Sequence, residues 1–454
     1  MRKIIYAAAI AVASFIGFSA CSEQPKQDTT AYPTFWTWLD YRAGMNFDSI
    51  CQVMEDMGID GIMLNAPTPD DYRVAVPIAN KHGIEVHAWL WTMNLEHGRD
   101  SIVAAHPEWL SVNRLGHSLA DTTAYVGYYK FMCPALPEVR QYLKDKVKAY
   151  CEVPGLNGIA IDYHRFVDVV LPTSLWPRYG VVQDREYPDW DYGYHPAMIE
   201  KFKEQYGYDP REQEDPTMDL KWRQFRCDMI TEVANEIAEV VHSYGKAMSA
   251  SPFPTPKMSA RMVRQDWGKW NLDIVFPMVY DGFYTFDTSF IRDCMIEDVR
   301  DKNEQTVLGC GMSAADGPLM FERMDAAFNN GAQAISMFTV ATMKDPEIRK
   351  QFRVYADSVK AVKKANGGKI IAQVPERASD DLFKDHETVI EKINQKMASL
   401  IEAETVQIKD YVFTGQENVT RTYDCKDELS GKTFVLSVWM YGDIVSGWDV
   451  ALKE

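Results

Sequence analysis

The chain has 454 residues, 46% hydrophobic and 25% charged, with 48 basic and 65 acidic side chains and a net charge of -17. That length and apolar content bury a large core, which excludes a disordered chain, a collagen and a disulfide-stapled miniprotein. The acidic balance excludes tracking of nucleic-acid phosphates and argues against an anionic polymer as the default ligand, unless a local basic pocket overrides the net sign.

Residues 1–20 read as a signal peptide: Arg2 and Lys3 lead into an apolar run from Ile4 to Phe18, which is short for a bilayer span and gives way at once to polar sequence. Phe18-Ser19-Ala20-Cys21 resembles a bacterial lipobox with an aromatic residue in place of the usual aliphatic one, which implies cleavage before Cys21 and lipidation there. Residues 21–31 are polar and aperiodic, as a tether is. The expected location is the cell envelope, with the lipid at Cys21 holding the chain to the outer membrane of a Gram-negative bacterium. The remaining cysteines are Cys51, Cys133, Cys151, Cys227, Cys294, Cys310 and Cys425. An odd set without CxxC spacing argues against a disulfide framework and a zinc site, and for buried free thiols.

From residue 32 to 366, short apolar runs alternate with longer amphipathic ones. The predicted strands are 34–39, 61–65, 84–91, 158–162, 247–251, 273–279, 306–311 and 334–338. Helical patterns lie between them, the strongest over 219–244, where Trp222, Phe225, Met229, Val233, Ile237 and Val241 share one stripe. Eight such alternations predict a closed (β/α)8 TIM barrel, with an open doubly wound sheet as the competing fold. The loop after strand four, 163–195, is very long, and long ordered loops commonly form a lid or a binding wall. Asn366-Gly367-Gly368 breaks the last helix. Residues 367–454 then read as a small α+β accessory domain, with one amphipathic helix and strands near 406–413, 420–424, 433–441 and 444–450.

In such a barrel the chemistry sits at the C-terminal ends of the strands. Asp162 ends strand four after Gly158-Ile159-Ala160-Ile161, with Tyr163, His164 and Arg165 following, and Arg165 is placed to hold it ionised. Asp281 follows strand six, Asp40 follows strand one, and the long loop adds Asp184, Glu186, Asp189 and Asp191. Paired carboxylates suit glycosidic cleavage, in which one protonates the leaving oxygen while the other attacks the anomeric carbon or activates water. Asp162 is the expected nucleophile or stabiliser, and Asp281 the expected acid/base, with Asp40 or a loop acid such as Glu186 as rivals. Asn65 and His87 are polar candidates on strands two and three, although a His on an apolar strand is as often satisfied in the core. Trp36, Trp38, Trp89, Trp91, Tyr163, Phe253, Tyr280, Phe283 and Tyr284 fall at or near strand ends, where aromatic faces pack on sugar C–H faces. Strand alternation turns only about half of them inward. Trp176 and Trp190 are candidates for a lid.

Other signals are weaker. Gly309-Cys310-Gly311-Met312-Ser313-Ala314 fits a dinucleotide fingerprint but lies in the seventh unit. His82, His87 and His97 have no metal-binding spacing, and there is no GxSxG elbow. No cofactor and no metal are expected.

Several segments together resemble the bacterial glycosyl-hydrolase-like family ten. They are Gly83-Ile84-Glu85-Val86-His87-Ala88-Trp89, His106-Pro107-Glu108-Trp109-Leu110, Cys133 to Arg140, Gly158 to Phe166, Trp222-Arg223 to Asn235, Ser249-Ala250-Ser251-Pro252 and Leu272 to Tyr280. They run in the family's order over residues 31–365. The resemblance implies a barrel hydrolase acting on glycans, peptidoglycan strands among them, with Asp162 as a principal carboxylate. The run Asp162-Tyr163-His164-Arg165-Phe166-Val167 lacks the family's Pro, and the loop after it is unusually elaborated. The expected function is thus a lipid-anchored glycoside hydrolase. A non-catalytic glycan-binding barrel is the alternative, and a sugar-phosphate enzyme using Gly309 and Gly311 is a third class.

Overall fold

The structure, a computed structural model, describes residues 32–183, 185–284, 289–314, 319–372, 387–417, 420–441 and 444–453. The leader, Cys21, the tether and Asp184 lie outside the described residues. No described helix is long and apolar enough to cross a membrane.

Eight parallel strands close into a barrel in sequence order: β1 (Phe35–Asp40), β2 (Gly61–Asn65), β3 (Glu85–Trp91), β4 (Gly158–Asp162), β5 (Ala247–Ala250), β6 (Ile274–Val275), β7 (Val307–Ser313) and β8 (Ala334–Phe338). Pairing of β1 with β8 completes the ring. Strand β6 is cut to two residues where seven were expected, because Phe276 leads into Pro277, which has no N–H to give a ladder.

The helices, in chain order, are α1 (Phe47–Met57), α2 (Pro69–Lys81), α3 (Arg99–Ala105), α4 (Pro137–Cys151), α5 (Trp176–Tyr179), α6 (Pro196–Tyr206), α7 (Leu220–Ser243), α8 (Pro256–Val263), α9 (Asp281–Tyr284), α10 (Ser289–Asp301), α11 (Leu319–Asn329), α12 (Pro346–Ala365) and α13 (Glu387–Leu400). Local chemistry starts and stops them. Thr68 and Asp71 form a capping box ahead of α2, Asp219 accepts the first N–H groups of α7, and Gly58 ends α1 in the left-handed conformation.

Side chains alternate across each strand. On β3, Val86, Ala88 and Leu90 join the large core beneath the helices, while Trp89 joins an inner cluster with Trp36, Trp38, Met63, Ala160, Ile274, Phe276, Val307 and Ala334. Large inner side chains are matched by glycines on neighbouring strands. A Cβ on Gly61 would come within 2.3 Å of Trp36, and one on Gly309 within 2.5 Å of Phe276. The barrel is therefore filled rather than hollow, and its floor is made of rings and glycines.

After the barrel, α13 packs on a four-stranded antiparallel sheet of order β12-β11-β10-β9, formed by β9 (Ile408–Glu417), β10 (Thr420–Asp427), β11 (Thr433–Tyr441) and β12 (Ile444–Leu452). Its own core holds Ile393, Met397, Tyr423, Cys425, Phe434, Leu436 and Val438. Trp439 of β11 packs edge-on against Trp176 of α5, with ring centroids 5.5 Å apart. The seven described cysteines are free and buried.

Candidate active site

A cleft of about 400 Å³ opens at the C-terminal end of the strands. Its walls are aromatic: Trp38, Trp89, Trp91, Tyr128, Tyr163, Phe253, Tyr280 and Phe338 are among its lining residues. Asp162, Arg165, Asp168 and Arg178 are its charged lining residues.

Asp162 faces inward because β4 alternates, with Ile159 and Ile161 turned out to the helices. It is 7% exposed. Trp89 Nε1 donates to Oδ2 at 2.9 Å and the Tyr163 backbone N–H donates to Oδ1 at 2.6 Å. Burial raises its pKa from 3.8 to about 6, against the opposing pull of those two donors and of the Arg165 charge. Tyr163, the next residue, has φ 48° and turns the chain sharply, which lays its ring on Trp91 with centroids 4.1 Å apart. A left-handed tyrosine is an uncommon conformation that concentrates at functional sites. Behind it, His164 is bonded to Thr92 Oγ1 at 2.8 Å and to the Ile230 carbonyl at 3.0 Å, and burial lowers its pKa to about 4, so it stays neutral.

Arg165 does line the cleft, but its partner is Asp168 rather than Asp162. Its Nη1 lies 3.0 Å from Asp168 Oδ2, and Tyr129 donates to the same oxygen at 2.9 Å. The guanidinium is boxed by the rings of Phe253, Tyr163, Phe131 and Tyr129, its central carbon lying 4.9 to 5.6 Å from their centroids. Asp168 is thus a second buried carboxylate at the cleft, and sequence reasoning missed it. The only signal for it was a carboxylate three residues after Arg165.

Other expected residues lie elsewhere. Asp281 begins α9, forms a two-pronged ion pair with Arg323 at 2.7 and 2.9 Å, and does not line the cleft. Its carboxylate thus faces Arg323 and stands apart from the carboxylates that line the cleft. Trp36 is fully buried in the barrel floor, its Nε1 donating to the Pro33 carbonyl, so it is no sugar platform. His87 is also interior, held between Ser249 Oγ at 2.8 Å and Glu85 Oε1 at 3.1 Å. Asn65 spends its amide N–H groups on Glu96 and on the Trp89 carbonyl. Asp40 is exposed and outside the lining. Among the loop acids, Asp189 is exposed away from the cleft. Glu186 is gripped by Arg261 and Arg264, and Asp191 by Arg226 at 2.5 Å. These two acids dock the loop onto α7 and α8 and are unavailable for chemistry. Trp38, Trp89, Trp91, Tyr163 and Tyr280 do line the cleft. Trp176 packs on Trp439, and Trp190 on Tyr125 with centroids 4.8 Å apart.

A polar group behind Trp91 was not foreseen. Glu96 is raised to about 7 by burial, and Lys146 is lowered to about 8 by the same cause. Lys146 Nζ donates to the Trp91 carbonyl at 2.9 Å, fixing the backbone under that ring. Among the described residues no cluster of His, Cys, Asp or Glu fits a metal ion.

No protein-family model matches the chain, and no curated protein matches it. Among solved structures, the fold aligns with a maltogenic α-amylase from Thermotoga neapolitana at 12% identity, over 89% of this chain and 85% of that one, with a TM-score of 0.40. It aligns with a cycloalternan-degrading enzyme from Trueperella pyogenes at 10% identity, over 91% and 61% of the two chains, with a TM-score of 0.43. It also aligns with a 3-keto-D-glucoside 4-epimerase from E. coli at 11% identity, over 73% and 100%, with a TM-score of 0.36. Likeness at this level assigns no activity to the chain.

Proposed function

We propose that the chain is a glycoside hydrolase. The observation that carries this reading is Asp162: a buried carboxyl at the floor of an aromatic-walled cleft, titrating near 6 and matched by no cation of its own. A carboxyl so placed is suited to give a proton to a glycosidic oxygen and take one back from water. Asp168 is the second carboxylate of the cleft. Charge pairing with Arg165 keeps its negative charge in place as positive charge grows on the anomeric carbon. The assignment moves the acid/base role from Asp281 to Asp162. The rings of Trp38, Trp89, Trp91 and Tyr163 supply faces for sugar C–H groups. The chemistry needs no cofactor.

The alternative is a barrel that binds glycan without cutting it, and the Arg165–Asp168 pair favours it, since that pair occupies the second carboxylate. Release of reducing ends from a panel of glycans, peptidoglycan strands included, separates the two. Hydrolysis that falls about a thousandfold in Asp162→Asn supports the enzyme. Full activity in that variant removes Asp162 from the mechanism, and binding without release by the wild type leaves the alternative. The leader and Cys21 support a lipid-anchored envelope protein, which fatty-acid labelling lost in Cys21→Ser would test.

A further inference from the structure

Among the described residues, the cleft holds one cation with no carboxylate partner. Of its four charged lining residues, Arg165 and Asp168 neutralise each other at 3.0 Å. That leaves Asp162 at the floor and Arg178 at the wall. Arg178 is exposed on α5, its guanidinium carbon 5.7 Å from the Tyr179 ring, and no described carboxylate lies within 4.0 Å of it. In a chain with 65 acids against 48 bases, an exposed arginine commonly meets a carboxylate. Arg73, Arg300 and Arg353 each do so, and none of them lines the cleft.

The described cleft lining therefore sums to zero charge with Asp162 ionised and to a positive charge with it protonated, inside a molecule of net charge -17. Neighbouring lining groups are Leu175, Tyr179, Phe283 and Tyr284, which leave the guanidinium as the one strong donor on that wall among the described residues. A planar guanidinium beside a ring offers a forked pair of N–H groups that fits a carboxylate.

We propose that the glycan carries a carboxylate, as a uronic acid or a carboxyl-substituted amino sugar does, and that Arg178 selects it at the sugar unit lying against α5. The inference rests on the hydrolase reading for its subsite but not for its binding measurement. The net charge of -17 disfavours anionic polymers elsewhere on the molecule, and Arg178 offers one acidic unit a counter-charge in the same cleft that Asp162 lines.

The test is quenching of the cleft tryptophans by matched probes: oligouronates, their carboxyl-reduced neutral forms, and the neutral forms bearing a sulfate ester. Wild type is expected to bind at least one oligouronate about tenfold more tightly than its reduced form, a preference that raised salt weakens. Arg178→Gln should bring the two within about twofold, and Arg178→Lys should keep part of the preference. Equal binding of acid and reduced forms by the wild type, a preference that survives Arg178→Gln, tighter binding of the sulfate ester, or no binding of any oligouronate each overturns the inference. Asp162→Asn separates the two readings: it should abolish cleavage and retain the preference. If wild type shows the preference and cuts nothing, the hydrolase reading falls alone. If it cuts neutral glycans as readily as acidic ones, this inference falls alone.

Discussion

At the scale of single residues, Asp162 carries a measurable consequence for both activity and stability. As a general acid it works protonated, so kcat/KM is expected to decline as pH rises through about 6, and a pH–rate profile with no limb in that region removes it from that role. The sign for stability follows from the same shift. The folded carboxyl holds its proton up to about 6 whereas the unfolded one releases it near 3.8, so folding stability is lost as pH rises across that interval. The gap is worth up to about 3 kcal/mol above pH 6, and Asp162→Asn recovers part of it, about 1–2 kcal/mol, because one N–H donor loses its acceptor. Thermal melts should therefore show the variant more stable at pH 7, with that advantage lost and the wild type the more stable of the two below pH 4. Asp162 was legible in the sequence because a buried strand with period two aims its last residue by arithmetic. Asp168 and Arg178 were not, because nothing in a loop sequence fixes where its side chains return to the cleft. Asp281 misled for a related reason: a carboxylate just past a strand end can start a helix and turn to its own arginine.

At the scale of elements, the loop after β4 is held by buried charge as well as by apolar residues such as Phe166, Val169 and Tyr192. Arg226 is fully buried and Arg264 is 1% exposed, and both rely on Asp191 and Glu186. Asp191→Ala leaves two buried guanidinium groups short of a counter-charge, a loss of about 3–5 kcal/mol that urea unfolding would register. A change under 1 kcal/mol would mean that water replaces the carboxylate without cost. A second anchor is Trp439, against which Trp176 rests. Trp439→Ala should raise hydrogen exchange over residues 173–180 while leaving the strands of the barrel protected. Equal exchange in both proteins would show that α5 stands without the sheet. The barrel strands other than β6, and the long helices between them, were legible from periodicity to within one or two residues, since their apolar spacing is set by the turn and the pleat, whereas α3, α5, α6, α8 and α9 were not foreseen. Strand β6 was not, because a sequence of β-branched and aromatic residues does not reveal how far Pro277 pulls its strand out of register.

At the scale of the whole molecule, eight regular alternations favoured closure over an open doubly wound sheet, and it is the pairing of β1 with β8 that leaves the sheet no free edge. The docking of the C-terminal sheet on α8, α10 and α5 was not legible, since contacts between units far apart in the chain leave no periodic trace. The ring is fastened at its base by Lys363, whose Nζ donates to the carbonyls of Tyr32 and Gln333 and to Thr34 Oγ1. That single ammonium ties the start of β1, the approach to β8 and the end of α12. Lys363→Met strands three acceptors and is expected to cost about 2–3 kcal/mol in chemical denaturation. Loss of under 0.5 kcal/mol would show the ring closed by strand pairing alone.

The position of Tyr32 gives this architecture a direction. The described chain enters beside Asp60, Gly83, Glu85 and Lys363, at the foot of the strands, and the cleft opens at their far ends. Tyr32 thus begins the described chain at the end of the barrel opposite the mouth of the cleft. Any ligand that reaches the cleft therefore enters at the end of the molecule opposite Tyr32, where the strands' C-terminal ends open.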